Sequence, residues 1–309
     1  MIRRTLQALK EQRLPTGFPY EVLLVDNGCT DETVAIATET MKNGGVDFRI
    51  ITENTPGLAN ARRRGVKEVK YEYVIFCDDD NILCPDYVFS MVGIFDEKPE
   101  VGAAGGKGVA EFKTEPAEII KEHIECYAVG SQMEHEDWLF GAGLALRTAV
   151  VRDVYDNQKC YLMGRKGGEL LSGDDSELVL SVVLRGYKVY PTDAVFYTHV
   201  LKANRLTEEY YKRLYKGIAI SFPVLGVMRS VIYDRGFYDA IRGYIESYGN
   251  YFKYSVLRQS PNSDKIREKA YDEILQFRYW GFFRLFVVYY QWNRIKRQQN
   301  NVVKGRISK

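Results

Sequence analysis

The sequence offers no cysteine framework. Its five cysteines, Cys29, Cys77, Cys84, Cys126 and Cys160, are odd in number, irregularly spaced and include no Cys-x-x-Cys pair. This argues against a disulfide scaffold or a zinc knuckle and fits a reducing cytosol. Charge of one sign is also lacking: 43 Lys and Arg face 41 Asp and Glu, a formal net charge of +2. No global field therefore points to nucleic acid or to an anionic surface. The start, Met-Ile-Arg-Arg-Thr-Leu, has no apolar core of signal-peptide length. No segment is expected to supply the roughly 20 apolar residues of a membrane span. No Gly-x-Gly-x-x-Gly follows a strand, which ranks a dinucleotide-dependent oxidoreductase low. Internal repeats and low-complexity segments are absent.

What is present reads as strands alternating with helices. Ile2, Leu6 and Leu9 fall at helical spacing. Glu21-Val-Leu-Leu-Val25 is a short continuous apolar run, the mark of a strand buried on both faces. Thr30 can cap a helix that carries Asp31 and Glu32 in its first turn and continues through Val34, Ala37 and Met41. Phe48 to Ile51 reads as a strand, Pro56-Gly57 as a turn and Leu58 to Val69 as a helix. Tyr73-Val-Ile-Phe-Cys77 is a strand that stops in Asp78-Asp79-Asp80-Asn81. Such alternation predicts a parallel sheet with right-handed crossovers, whose ligands bind beyond the carboxyl ends of the strands. Four glycines crowd Gly102 to Gly108, a helix is expected to open near Asp174, and strands are expected near Lys188–Tyr190 and Val195–His199. From about Leu206 the pattern turns helical, aromatic and basic. The expected domains are therefore residues 1–204 and 205–309.

Three acidic segments could carry chemistry. Asp78, Asp79 and Asp80 repel one another unless a cation offsets their charge, and hard carboxylate oxygens suit magnesium or manganese holding a diphosphate. An acidic turn accounts for them equally well, although the buried strand directly before them favours a site. Val25-Asp26-Asn27-Gly28-Cys29-Thr30-Asp31 is a strand, a tight turn and a helix start. A carboxylate there can accept a hydrogen bond from a base N–H, yet a plain turn with a cap explains it too. Ser172-Gly173-Asp174-Asp175-Ser176-Glu177-Leu178 places paired carboxylates at a helix start. That placement serves a general base or mere compensation of the helix dipole. His199 closes a strand and could bind metal as neutral imidazole or be a structural histidine.

Taken together and in this order, the segments resemble the family 2 glycosyltransferases with a GT-A fold. Val25 to Asp31 is similar to that family's Val-Asp-Asp-Gly-Ser-Thr-Asp turn, with Asn27 and Cys29 substituted. Asp78 and Asp80 match its Asp-x-Asp motif, and Gly141-Ala-Gly-Leu-Ala-Leu-Arg147 its acceptor-side strand. Asp174-Asp175 stands for its Glu-Asp pair, and Gly57-Leu-Ala-Asn-Ala-Arg62 fits a recurrent segment, with Arg63 in place of the usual Asn. The similarity covers roughly residues 1–205. It implies a Rossmann-like, mostly parallel sheet with helices on both faces, followed by a C-terminal helical region. It also implies an inverting, metal-dependent transfer from a UDP- or GDP-linked sugar to a hydroxyl of a glycan or lipid-linked acceptor, in surface polysaccharide biosynthesis. Asp26 would read the nucleobase, Asp78 the ribose or metal and Asp80 the metal, with His199 as a third ligand. Asn27, Arg62 and Asp79 would join the donor-binding residues. Asp175, beside Asp174, would deprotonate the acceptor.

The family normally opens with a central strand and a Pro-Thr-Tyr-Asn-like loop ahead of the first helix, and this sequence starts at that helix. The resemblance therefore predicts an open slot between Val22–Val25 and Val74–Cys77, whose unpaired backbone groups are costly when buried. It also keeps alive an alternative function, a non-catalytic nucleotide-sugar-binding or scaffold relative. At the far end, Trp280 to Tyr290 is intensely aromatic, and six basic residues with no acidic one run from Arg294 to Lys309. Either a helix packs on the rest of the chain ahead of a solvated tail, or this region touches an anionic bilayer. The second would place a cytoplasmic protein at the inner face of the membrane, near a lipid-linked acceptor.

Overall fold

The computed structural model describes residues 1–42, 45–165, 170–256 and 263–307. Its chain forms two compact units, Met1–Tyr215 and Lys216–Lys309. The division falls after Tyr215 and not at the expected 204, because the start of the next helix is tied into the first unit. Leu206, Tyr211 and Leu214 are buried, Tyr211 stacks on His123, and Tyr127 Oη donates to Arg205 O.

In the first unit, α1 (Ile2–Lys10), β1 (Glu21–Asp26), α2 (Thr33–Met41), β2 (Asp47–Thr52) and α3 (Leu58–Glu68) alternate as the periodicity predicts. Ile2 and Leu6 of α1 pack with Val22 of β1 and Ala37 and Met41 of α2. β1 and β2 pair in parallel over their whole length, from Glu21 opposite Asp47 to Asp26 opposite Thr52. Next come β3 (Tyr73–Ile75), β4 (Asn81–Leu83), α4 (Tyr87–Glu97), β5 (Val101–Phe112), α5 (Glu118–Glu122), β6 (Ala145–Arg147), α6 (Thr148–Asn157), α7 (Asp174–Leu184) and β7 (Lys188–Leu201).

A five-stranded sheet runs in the order β3-β6-β5-β7-β4. The α/β class with covered faces holds, but this sheet is mixed. β5 and β7 are parallel, while β3 with β6, β6 with β5, and β4 with β7 are antiparallel. The acidic turn reverses the chain between β3 and β4, so β4 pairs antiparallel with β7 and lies away from β3. The two strands expected near residues 188–190 and 195–199 are one strand, β7, with an irregularity opposite Gly105–Lys107.

Successive residues of these strands serve opposite faces, as strand geometry requires. Ala103, Leu144 and Leu146 join the α6 and α7 side chains Val151, Val154, Val179 and Val182. Their neighbours Ala104 and Ala145 join Tyr87, Met91 and Phe95 of α4. The glycine run in β5 makes that second face possible. A Cβ on Gly106 would lie 2.7 Å from the Tyr87 ring and 2.8 Å from Val195 O. Buried Tyr87 instead accepts from Gly106 N–H and donates to Gly143 O.

β1 and β3 are not paired. Lys70, just ahead of β3, donates its N–H to Glu21 at the start of β1, so both strands begin at one end of the unit. Between them lies a cavity of about 750 Å³, walled by Val22–Val25 on one side and Val74–Phe76 on the other and floored by Leu6 and Leu9. The open slot expected from the sequence is there.

α8 (Glu208–Ala219) carries the chain across the division into α9 (Phe222–Ile232), α10 (Phe237–Val256), α11 (Ser263–Trp280) and α12 (Phe282–Ile307). The expectation that no stretch is apolar enough to span a membrane is corrected here. Glu208–Ile232 has that length, and an 18-residue window within it has a mean hydropathy of 1.3. Its apolar half, α9, is the core helix of the second unit: Val224, Val227 and Met228 are fully buried, as are Leu285, Val288 and Trp292 of α12. Lys296 of α12 turns inward and donates to Val231 O and Ile232 O, closing the carboxyl end of α9.

Candidate active site at the carboxyl ends of β1 and β3

The cavity is apolar along the strands and charged at their carboxyl ends, where Asp78, Asp79 and Asp80 meet Arg62, Arg165 and Arg205. Three local features deliver these groups. β3 ends before a turn in which Asn81 N–H donates to Asp78 O and Asp78 N–H to Asn81 Oδ1. α3 presents Arg62 one turn into the helix. Gly173, at φ +104°, lets α7 start abruptly with Asp174 and Asp175.

Arg62 links two of the acidic segments. It is buried, donates from Nη1 to Asp174 Oδ2 at 2.9 Å and lies 3.7 Å from Asp78 Oδ1. Its guanidinium also sits over the Phe76 ring. Burial works against its charge, but Asp174, Asp78 and Asp175 more than offset that and raise its pKa. Its Nε is buried without an acceptor. Burial, together with Asp175, pushes the Asp174 carboxyl up to about 6 against the pull of Arg62. Asp175 faces the same point. Its Oδ2 accepts from Gly141 N–H at 3.0 Å and its Oδ1 from Ser176 N–H at 2.8 Å. A Cβ on Gly141 would meet Asp175 Oδ2 at 2.7 Å and Arg62 Nη2 at 2.8 Å. The Gly141 motif, Arg62 and the α7 carboxylates are thus one assembly.

Asp80 is differently placed. It is buried and held by Arg205 Nη1 at 2.7 Å, His199 Nε2 at 3.5 Å and Asn81 Nδ2 at 3.2 Å. Burial would raise its pKa, but His199 and Arg205 hold it down at about 2. His199 faces Asn81 across the β4–β7 ladder, and its Nδ1 lies 2.6 Å from Tyr127 O. Asp79 projects to the surface, and the chain packed about it, together with Asp80, raises its pKa. Asp78 keeps a carboxylate 37% exposed toward the cavity.

The donor chemistry of this set suits a hard divalent cation at Asp78. Asp78, Asp80 and His199 do not form a ready three-ligand cage among the described residues, because Arg205 and His199 already hold Asp80.

On the β1 side, Asp26 accepts from Cys29 N–H in the turn. Asn27 ties two loops together: its amide donates to Glu53 O and Thr55 O and accepts from Gly57 N–H. Three residues of this region have no role in the sequence reading, although Glu177 stands in its third acidic segment. Arg205 is the partner of Asp80. Arg165 lines the cavity. Glu177, one helical turn into α7, is buried, accepts from the Tyr161 and Leu162 N–H groups and holds the preceding loop. Burial pushes its carboxyl up to about 8. Only for Glu177 was there a sequence signal, an acid on the otherwise apolar inner face of a helix.

Residues 1–143 match the sequence model of Glycosyl transferase family 2. The match takes in Asp26, Arg62, Asp78–Asp80 and Gly141 and stops short of α7. Over 104 residues the chain is 36% identical to a poly-beta-1,6-N-acetyl-D-glucosamine synthase of Staphylococcus epidermidis, a stretch equal to 33% of this chain and 25% of that protein. A synthase of the same name from Staphylococcus aureus is 31% identical over 86 residues, 28% of this chain and 21% of that one. The chain thus spans about a quarter of the length of these relatives. A crystal structure of S. aureus TarS 1-349 aligns with a TM-score of 0.52 and 15% identity, covering 96% of this chain and 87% of that one. At that identity the fold alone is shared.

Proposed function

We propose that this chain, whose residues 1–143 belong to glycosyl transferase family 2, transfers a sugar from a nucleotide-sugar donor to an acceptor hydroxyl during synthesis of a surface polysaccharide. The observation that carries the reading is the Asp78–Arg62–Asp174 bridge with Asp175 beside it. It sets an open carboxylate and a buried cation at one end of the cavity and ties that cation to a carboxylate at a helix start.

The acceptor oxygen attacks the anomeric carbon while the bond from that carbon to the diphosphate breaks on the opposite face, so configuration inverts. The proton goes to Asp175. Its two backbone donors fix the carboxylate without neutralising it, whereas Asp174 is held by Arg62. Asp174 is therefore a positioning residue. Arg62, with an unpartnered Nε, and Arg165 and Arg205 at the cavity mouth offer guanidinium donors to a diphosphate, for which their planar fork is suited. A magnesium or manganese ion bound there would act as a Lewis acid on the leaving diphosphate. Asp78 offers it the open carboxylate, and Asp80 and His199 would join by exchanging Arg205. Asp26, with Asn27 fixing its loop, would read the base.

Asp175→Asn keeps the side chain's shape and removes the proton acceptor. Its transfer rate should fall about 10²- to 10⁴-fold with donor affinity by calorimetry unchanged. Parent-like transfer would exclude Asp175 as the base. The open slot between β1 and β3 favours a second reading, a relative that binds donor as a scaffold without turnover. Donor binding by parent and Asp175→Asn alike, with neither transfer nor donor hydrolysis by the parent, would select it.

A further inference from the structure

The second unit carries its charge and its apolar surface on the outside. From Lys216 to Lys309 there are 17 Lys and Arg against 7 Asp and Glu, a formal charge of +10. The last 36 residues, Ile274 to Lys309, hold eight basic residues and no acidic one.

α12 sorts these residues by face. Leu285, Val288 and Trp292 point into the unit and are fully buried. The opposite stripe, at steps of three and four, is Phe283, Phe286, Tyr290, Arg294 and Arg297, all exposed. Phe283 is 78% exposed and Tyr290 65%. The stripe is aromatic over its first two turns and basic thereafter. Neither arginine has an acidic partner among the described residues. The face widens onto α10, whose Phe237 ring meets those of Phe282 and Phe286 and whose Tyr238 next door is exposed.

Unfavourable hydration of so many exposed rings calls for a cover. Its chemistry is set by the flanking charge. A second copy of this unit would bring another +10 against the first. A surface of anionic headgroups over an apolar interior complements both halves of the stripe: rings settle at the headgroup level and arginines meet phosphates. We propose that the α12 face docks the protein on an anionic lipid bilayer, with Phe283, Phe286 and Tyr290 entering the interface and Arg294 and Arg297 at its surface. The helix would lie in the interface plane. The span-length segment, α8–α9, has its apolar helix α9 enclosed in the core and is not the anchor.

The test is flotation of the full chain with phosphatidylcholine vesicles, with and without about a third phosphatidylglycerol, at low and high salt. The parent should bind the anionic vesicles, bind neutral ones at least about tenfold more weakly, and lose binding as salt screens the arginines. Arg294→Gln with Arg297→Gln should weaken anionic binding about 25-fold, some fivefold for each charge. Phe283→Ser, Phe286→Ser and Tyr290→Ser together should abolish it. All five side chains are exposed, and unchanged thermal unfolding will confirm that the variants fold. Vesicle binding equal in the parent and both variants overturns the proposal. So does a parent that ignores vesicles and self-associates in sedimentation velocity, with the aromatic triple variant monomeric; a second copy is then the occupant.

Discussion

The two units spend their charged residues in opposite ways. Met1–Tyr215 holds 26 Lys and Arg and 34 Asp and Glu, a formal charge of −8, and buries several of them in pairs. Arg62 with Asp174, Asp80 with Arg205 and His199, and Arg185 with Asp153 are fixed inside or half inside. Lys216–Lys309, at +10, builds its core from aliphatic and tryptophan side chains and leaves most of its arginines outside. Buried charges are costly to desolvate and strongly destabilising when one partner is lost, so a chain that keeps them pays in stability for a site. A +10 surface needs no such arrangement and acts over a Debye length. The overall charge of +2 conceals both facts. It excluded a global field correctly and said nothing about the local ones.

That contrast breaks first, and hardest, at the assembly around Arg62. Besides the rate loss expected for Asp175→Asn, Arg62→Met should leave Asp174 buried without its cation. The expected cost is about 3–5 kcal/mol, read as a lower urea midpoint at unchanged slope. A loss under about 1 kcal/mol would mean that the bridge is not formed in solution.

Acid should separate the units next. Asp80 is held at about 2 against an ordinary 3.8. A carboxylate whose folded pKa is depressed stabilises above its unfolded pKa and loses that contribution as pH falls through the folded value. Between pH 4 and 2 the first unit should therefore lose about 2 kcal/mol, the size of that shift at 1.36 kcal/mol per unit. Asp80→Asn should lie lower at neutral pH and be flatter in this window, as shown by denaturant titrations at each pH. Parallel parent and mutant curves would assign the acid sensitivity elsewhere.

The slot between β1 and β3 offers a gentler probe. A soluble peptide with a six-residue apolar, β-branched segment, the length of β1, should add as a strand between the two edges. At ten times its Kd it should raise the melting temperature of the first unit by about 3–6 °C. A scrambled peptide with charges at alternate positions should not. Equal shifts from both would show that the cavity takes apolar matter without strand pairing.

Much of this was legible in the sequence, for physical reasons that can be named. β1 and α3 were readable because continuous apolar runs and helical spacing are local signals. The acidic clusters were readable because strand ends and helix starts place their residues predictably. The slot was readable only through the family resemblance, which implies a strand between the apolar runs Val22–Val25 and Val74–Cys77; the runs alone do not fix their neighbours. Asp80–Arg205 was not legible. Its partners are 125 residues apart, and nothing in the periodicity around Arg205 distinguishes it from Lys202. The mixed direction of the large sheet was hidden for a similar reason. β4 and β6 are three residues each, too short for a pattern, and their pairing is decided by the turn after Asp78 and by β7. Asp174 and Asp175 illustrate a middle case. Dipole compensation predicts acids at a helix start, and only the structure shows that Asp174 also binds Arg62, a residue of the cavity wall, and that Asp175 accepts from Gly141 N–H.

The smallest effect tests the other half of the contrast. Phe283 is among the largest apolar side chains of the second unit and is 78% exposed. If it served the fold, replacing it should cost as a core residue does, about 3–5 kcal/mol for a phenylalanine. If the face exists for something outside the chain, Phe283→Ser should change stability by no more than about 0.5 kcal/mol. Leu285→Ala, two residues on and fully buried, should cost about 2–5 kcal/mol. The pair forms an internal control on one helix, because both changes remove apolar atoms and differ only in which side of α12 they leave. Equal losses in urea unfolding would mean that the aromatic stripe is packed in solution, against this chain or another copy. A loss confined to Leu285→Ala would leave the rings free for an outside surface, and would show that the second unit holds its fold with one face of α12 and presents the other.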